Sequence, residues 1–233
     1  MKKLILVDDH DLCIRTFLKE IDDIGILGDA RGVLHVGAHM GEEVRAYKDF
    51  SCNPIYLVEA NPEILPKLAE KFKADDDVQI LSTAVGSKNG TTEFVVHRTK
   101  KGGMESSGLL NLEKLGTIVP VFESESKYQV PVTTIDSLAE SLNLAGRIGL
   151  MVLDIQGAEM MALSGASAFL QQVDAVICEV NLIRNYESCP LEEDIDRIFA
   201  EAGFVKQMGI YHELYDATGR FPAWGECLWH RQR

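Results

Sequence analysis

Apolar residues along this chain fall into two rhythms that take turns. From residue 32, short β-rich apolar runs alternate with stretches at helical spacing, the signature of a mostly parallel sheet covered by helices on both faces. Gly32-Val33-Leu34-His35-Val36 is expected as a first strand, and Glu42 to Tyr47 opens a helix after Gly41. Pro54 to Glu59 repeats the scheme as a buried strand. Pro62 suits a helix start, and Ile64, Leu65, Leu68, Ala69 and Phe72 recur at helical spacing. Val78 to Ser82 is the expected third strand, with Thr91 to Val96 following across the turn Ser87-Lys88-Asn89-Gly90.

The alternation then stops. Residues 98–128 are rich in Gly, Ser, Lys and Glu, and a loop of that length in a folded domain is a candidate lid or substrate loop. It resumes with a strand Val130 to Thr133, a helix Ile135 to Leu142, and the apolar strand Gly149 to Leu153 ending on Asp154. A helix Met160 to Leu170 leads to the strand Ala175 to Cys178, which ends on Glu179. Leu191 to Ala202 is an amphipathic helix stopped by Gly203, and Phe204 to Ile210 and Glu226 to His230 form an expected antiparallel edge pair. The first 30 residues read as an apolar segment and a helix laid on this body.

Totals narrow the function classes. The chain has 233 residues, 46% of them hydrophobic, enough for one substantial core. No run approaches the ~18 apolar residues that span a bilayer, and Met1-Lys2-Lys3-Leu4-Ile5-Leu6-Val7 reaches Asp8-Asp9-His10 before a signal core forms, so no membrane partner and a cytoplasmic location are expected. Five dispersed cysteines without a C-x-x-C pair suggest reduced thiols. A formal charge of −13 repels phosphate backbones, and the basic cluster His97-Arg98-Thr99-Lys100-Lys101 has no interleaved aromatics, which argues against nucleic acid.

In open parallel sheets, ligands lie beyond the carboxyl ends of the strands. Here those ends are polar: the turn Gly37 to Gly41, then Glu59-Ala60-Asn61, Ser82-Thr83-Ala84, Asp154-Ile155-Gln156 and Glu179-Val180-Asn181. Glu59 stands where an acid accepts both ribose hydroxyls of an adenosine. A dinucleotide shares that spacing, but the turn carries G-x-x-x-G rather than G-x-G-x-x-G, and the next helix opens on Glu42-Glu43. A pyrophosphate there would face two carboxylates, whereas a cationic sulfonium without phosphate would not. Acids in a first helical turn also simply complement the helix dipole. His35 and His39 have the spacing of a helical metal pair but fall on a strand and a turn, so no metal site is expected.

The segments HVGAHMGEE (35–43), YLVEANPEIL (56–65), STAVG (82–86), ESSGLL (105–110), VTTIDSL (132–138), LDIQGAEM (153–160) and CEVN (178–181) occur in order. Together they resemble the FkbM-type methyltransferases, from about residue 31 to the C-terminus. The resemblance implies an α/β, Rossmann-like class I methyltransferase fold with a mostly parallel seven-strand sheet and helices on both faces. It also implies S-adenosylmethionine as donor and, usually, O-methylation of a hydroxyl on a sugar, polysaccharide or secondary metabolite. Residues 1–30 then form a helical extension to a methyltransferase domain over 31–233, one unit overall.

Carried over by position, the resemblance places the donor among Gly37, His39, Gly41, Glu42, Glu59, Ala60, Asn61, Thr83, Ala84 and Val85, with Asp154 and Gln156 near the methyl group. Asp154, Glu159 and Glu179 are the candidate bases; a carboxylate at a strand end also serves to cap a helix or hold a backbone amide. Val152 stands where many relatives carry Lys or Asn, and Gly108 where a third serine is common. Tyr186, Tyr211, Tyr215, Phe221 and Trp224 suit either a sugar-stacking surface or packing.

Three other classes compete. Leu4 to His10 imitates a phosphoacceptor receiver, but the strand Ile55 to Val58 ends on Glu59 rather than on a phosphorylatable aspartate. An NAD-linked sugar enzyme conflicts with the glycine pattern. A non-catalytic S-adenosylmethionine-binding sensor or assembly subunit would share the fold, and retention of the strand-end acids favours catalysis over it.

Overall fold

The computed structural model describes residues 10–29, 31–118, 121–216 and 219–232. Helix α1 (His10–Asp23) precedes β1 (Gly32–Val36), α2 (Val44–Asp49), β2 (Ile55–Glu59), α3 (Leu65–Phe72) and β3 (Val78–Ser82). A small second sheet follows, comprising β4 (Ala84–Val85), β5 (Gly90–Thr99) and β6 (Phe122–Thr133), with the short helix α4 (Lys114–Ile118) between β5 and β6; β6 pairs antiparallel with β5 and parallel with β4. The alternation returns with α5 (Ile135–Ser141), β7 (Ile148–Leu153), α6 (Glu159–Ser164), a 3-10 turn at Phe169–Gln171, β8 (Ala175–Asn181) and α7 (Glu192–Glu201). A long hairpin, β9 (Phe204–Asp216) and β10 (Gly219–Arg231), completes the chain.

Seven strands form one sheet in the order β3-β2-β1-β7-β8-β10-β9. The first five run parallel, and β10 is antiparallel to both of its neighbours. Every residue of β1, β2, β7 and β8 is buried, which explains why these strands read as continuous apolar runs rather than alternating ones. Successive side chains point to opposite faces. Leu34, Tyr56, Met151 and Val176 pack with Phe169, Phe199 and Trp229 on one side. Val33, Ile55, Leu57 and Leu150 meet Tyr47 and Leu68 on the other, and α1 joins that side through Cys13, Ile14, Phe17, Leu18 and Ile21. That i, i+3, i+4 stripe makes α1 part of the main core.

Five expectations need correction. Part of the expected loop 98–128 is regular structure: β5 runs on to Thr99, α4 covers Lys114–Ile118, and β6 starts at Phe122 and pairs with β5 through Glu125↔His97 and Tyr128↔Phe94. The stretch Phe122-Glu-Ser-Glu-Ser-Lys-Tyr128 is largely solvated, so no apolar alternation marks it as a strand. The expected helix Met160 to Leu170 is broken at Gly165, where a Cβ would lie 2.6 Å from the Gly86 carbonyl oxygen. The Asp136 carboxylate then accepts the Ala168 and Phe169 amides (3.1 and 2.8 Å) and starts the next turn. Strand β8 extends through Asn181, so Glu179 lies inside the strand, paired with Glu226 of β10. The edge hairpin is antiparallel as expected but about twice as long, and helix α2 begins at Val44 rather than Glu42. Leu4 to Val7 and the acids Asp8 and Asp9 lie outside the described residues.

Candidate functional site

Strand β1 leads to β2 and β3 on one side, while β7 and β8 build outward on the other, so the switch point of the sheet lies between β1 and β7. The turn after β1 is held there by the Gly37 and Ala38 amides, which donate to the Val58 carbonyl (2.9 and 3.1 Å). Gly37 has φ +89°, and a Cβ on it would sit 1.7 Å from the Asp154 carbonyl oxygen. Only glycine permits that approach of the two strand ends. Gly41, with φ +62°, faces the Phe72 ring instead: its glycine packs the turn against α3 and lies behind the cleft wall.

Glu59 at the end of β2 organises the same turn. Its Oε2 accepts the His39 amide (2.7 Å), and its Oε1 accepts the Ala60 and Asn61 amides (2.8 and 2.7 Å). Burial pushes the carboxyl pKa up, and these three amides pull against that shift. Asn61 uses its Oδ1 to accept the Glu63 amide, which begins the turn into α3. Thr83 Oγ1 donates to the Ala84 and Pro131 carbonyls. His39 has φ 43° and meets Glu42 Oε1 through Nδ1 (3.3 Å), a contact that raises the imidazole pKa.

The turn after β7 is built from inside. Glu159 is wholly buried, and its Oε1 accepts the Ile155 and Gly157 amides (3.2 and 3.1 Å), while its Oε2 has no hydrogen-bond partner. Gln156 is held at φ 57°, donates from Nε2 to Asp154 Oδ1 (2.6 Å) and accepts from the Tyr186 hydroxyl through Oε1. Burial, reinforced by Asp154, raises the Glu159 pKa to about 7. Burial first, then Asp154, Glu159 and Glu226, push Glu179 well above the carboxylate range.

A raised carboxyl pKa has a defined sign for stability. Between about pH 4.5 and 7 the folded protein keeps a proton on Glu159 that the unfolded chain has lost, so this group's contribution declines as pH rises through that window. Buried His35, lowered to about 4, has the opposite sign below pH 6.5, so the clean measure is a difference between proteins. Glu159→Gln should gain stability relative to wild type by up to about 1.4 kcal/mol per pH unit across that window, read by urea unfolding at several pH values. A pH-independent difference would show that Glu159 ionises normally.

These elements enclose a cavity of about 370 Å³, within the range of small-molecule sites. Of the residues expected from the sequence, Gly37, His39, Glu42, Glu59, Ala60, Asn61, Thr83, Ala84, Val85, Asp154 and Gln156 line it. Gly41, Glu159 and Glu179 do not. Sequence reasoning missed Glu43, at the start of α2, and Phe94, Met104, Glu105, Ser107 and Leu109, which close the cavity from the β5 side. The ESSGLL segment was the available signal. It reaches the cavity because Gly108 pairs with Val95 in both directions (2.8 and 3.0 Å) and Ser107 Oγ accepts the His97 amide. A side chain at position 108 would approach the Ile155 carbonyl at 3.4 Å, so glycine leaves room beside the Asp154 turn. Five carboxylates (Glu42, Glu43, Glu59, Glu105 and Asp154) line the cavity, and among the described residues no Lys or Arg does. Of the candidate stacking aromatics, Tyr186 and Tyr211 are buried, Tyr215 is exposed and Trp224 stacks on His212.

The strand order, with a parallel sheet ending in an antiparallel hairpin, defines a class I methyltransferase fold. The chain belongs to the methyltransferase FkbM domain family, whose pattern matches residues 35–206. Among solved structures, a FkbM methyltransferase from Methylobacillus flagellatus is similar at 13% identity and TM-score 0.52, covering 97% of this chain and 56% of that one. Magnesium protoporphyrin IX methyltransferase from Synechocystis, with bound S-adenosylmethionine, is similar at 12% identity and TM-score 0.51, covering 96% and 80%. A precorrin-6y methyltransferase from Geobacter metallireducens is similar at 9% identity and TM-score 0.50, covering 99% and 93%. Among curated proteins none matches. In the described residues no helix is long and apolar enough to cross a membrane.

Proposed function

We propose that this chain transfers a methyl group from S-adenosylmethionine to a hydroxyl of a sugar, polysaccharide or secondary metabolite. The observation that carries the reading is the charge of the cavity: five carboxylates line it without a Lys or Arg among the described residues. Such a wall repels phosphate and accommodates a ligand that is cationic at its reacting end. The apolar surfaces of Ala84, Val85, Phe94 and Leu109 suit an adenine, and Glu59, locked by three amides, presents its remaining lone pairs to ribose hydroxyls.

When bound, S-adenosylmethionine supplies a methyl group on a sulfonium, and its departure leaves a neutral thioether. The chain's part is to align the acceptor oxygen and remove its proton as the O–CH₃ bond forms. Asp154 is the best placed of the three candidate bases, since it lines the cavity and Gln156 steadies one of its oxygens. Glu159 is spent on the backbone of the 155–157 turn, and Glu179 lies inside β8 opposite Glu226, outside the cavity lining. No Lys or Asn stands at Val152 to replace Asp154, and Val152 itself is buried against the α1 side of the sheet.

A thermal-shift panel tests the reading. S-adenosylmethionine and S-adenosylhomocysteine should each raise the melting temperature, by an amount that follows ligand concentration over Kd, while NAD and nucleotide sugars leave it unchanged. A shift with NAD and none with either sulfur ligand would reverse the assignment. Slow donor hydrolysis with no methylated product from a hydroxyl-bearing acceptor screen would favour the sensor reading instead.

A further inference from the structure

Outside the cavity, α1 and the terminal hairpin bring together three metal-ligating side chains of different chemistry. Antiparallel partners share a face of the sheet, so the pairing of Glu226 with Glu179 and with Ile210 sets the Glu226 carboxylate on the face that α1 covers. His212, two residues beyond Ile210 on β9, points to the same face. Cys13 lies on the buried stripe of α1 and reaches both. Glu226 Oε2 is the common point: His212 Nε2 lies 2.9 Å from it and Cys13 Sγ 3.5 Å. The three ligand atoms all fall within 4.8 Å of one another. Stacking on Trp224, at 5.4 Å between ring centroids, fixes the imidazole plane.

We propose that Cys13, His212 and Glu226 form a binding site for a divalent cation of the zinc class. One thiol, one imidazole and one carboxylate are the donor types of zinc sites, and the sulfur disfavours magnesium and calcium. Bond lengths of about 2.0–2.3 Å put tetrahedral ligand atoms roughly 3.3–3.8 Å apart, so the observed spacing needs adjustments of only about an ångström or less. Binding exchanges the Cys13 S–H proton for the metal and releases that proton to solvent. A second observation points the same way. Glu179, directly across from Glu226, is 6% exposed, and its Oε2 has no hydrogen-bond partner. A cation beside Glu226 would set a positive charge next to this unpartnered carboxylate oxygen. The ion would also tie α1 to β9 and β10. The three positions lie 199 and 14 residues apart in sequence, so no short ligand motif announces them.

The test is a titration of chelator-stripped full-length protein with Co²⁺, followed by Zn²⁺ competition. The expected result is one equivalent of Co²⁺, with a thiolate-to-cobalt charge-transfer band and visible tetrahedral d–d bands, displaced by Zn²⁺. Cys13→Ser should lose the charge-transfer band, Cys52→Ser should keep it, and His212→Ala and Glu226→Gln should each weaken Co²⁺ binding at least about tenfold. Circular dichroism checks the fold of each variant, and if Cys13→Ser fails to fold, the His212 and Glu226 variants decide. No charge-transfer band in the wild type, a band that survives Cys13→Ser, or wild-type affinity in both other variants would overturn the proposal. Donor binding at Glu59 is a separate measurement, so failure here leaves the methyl-transfer reading standing.

Discussion

Gly37→Val is expected to abolish S-adenosylmethionine binding and to lower unfolding stability by about 3 kcal/mol or more. Two terms add. Positive φ disfavours an L side chain by roughly 1–2 kcal/mol, and overpacking a tight contact costs about 1–3 kcal/mol further. The contact is unusually tight, because the added Cβ would sit 1.7 Å from the Asp154 carbonyl oxygen, a backbone atom that cannot swing aside. Relief requires the ends of β1 and β7 to separate, which would displace both the turn over Glu59 and Asp154. Gly25→Ala is the control. Gly25 shares a positive φ of +62° but has nothing within 4 Å of its Cβ position, so only the conformational term of about 1 kcal/mol applies. Urea unfolding and calorimetry measure both quantities; a Gly37→Val protein that binds donor within threefold of wild type would show that the strand ends are not coupled as described.

Asp154→Asn should reduce methyl transfer by about 10²–10⁴-fold, the range for losing a general base, while leaving the donor Kd within about threefold. The asparagine keeps the size of the side chain, and its carbonyl oxygen still accepts from Gln156 Nε2. The split between turnover and binding is the diagnostic, since a merely structural role would move both. Full activity in the variant would remove Asp154 from the chemistry and return attention to positioning alone.

The parallel half of the fold was legible because its inner strands β1, β2, β7 and β8 are buried on both faces and its turns carry Gly, Asn and Pro. Strand β3 matches its expected bounds residue for residue, and β1 does too. What escaped was set by tertiary pairing. Strand β6 owes its existence to β5 rather than to its own polar sequence, and the break at Gly165 comes from the neighbouring Gly86 and Thr134. The extension of β8 past Glu179 depends on β10 lying beside it. At the site, strand-end logic collected the floor of the cavity, from Gly37 through Gln156. The roof residues Phe94, Met104, Glu105 and Leu109 arrive through a β5 pairing that spacing does not reveal. Burial divides the three acids that looked alike in sequence: Asp154 faces the cavity, while Glu159 and Glu179 lie beneath it.

Donor binding at Glu59 is measured by calorimetric titration of the wild type and of Glu59→Gln with S-adenosylmethionine and S-adenosylhomocysteine. The wild type should bind both ligands at one site per chain. Glu59→Gln should weaken binding roughly 10–150-fold, as expected for losing hydrogen bonds to a charged acceptor worth about 1.5–3 kcal/mol. Absence of binding in the wild type, or unchanged affinity in Glu59→Gln, would contradict donor binding at Glu59.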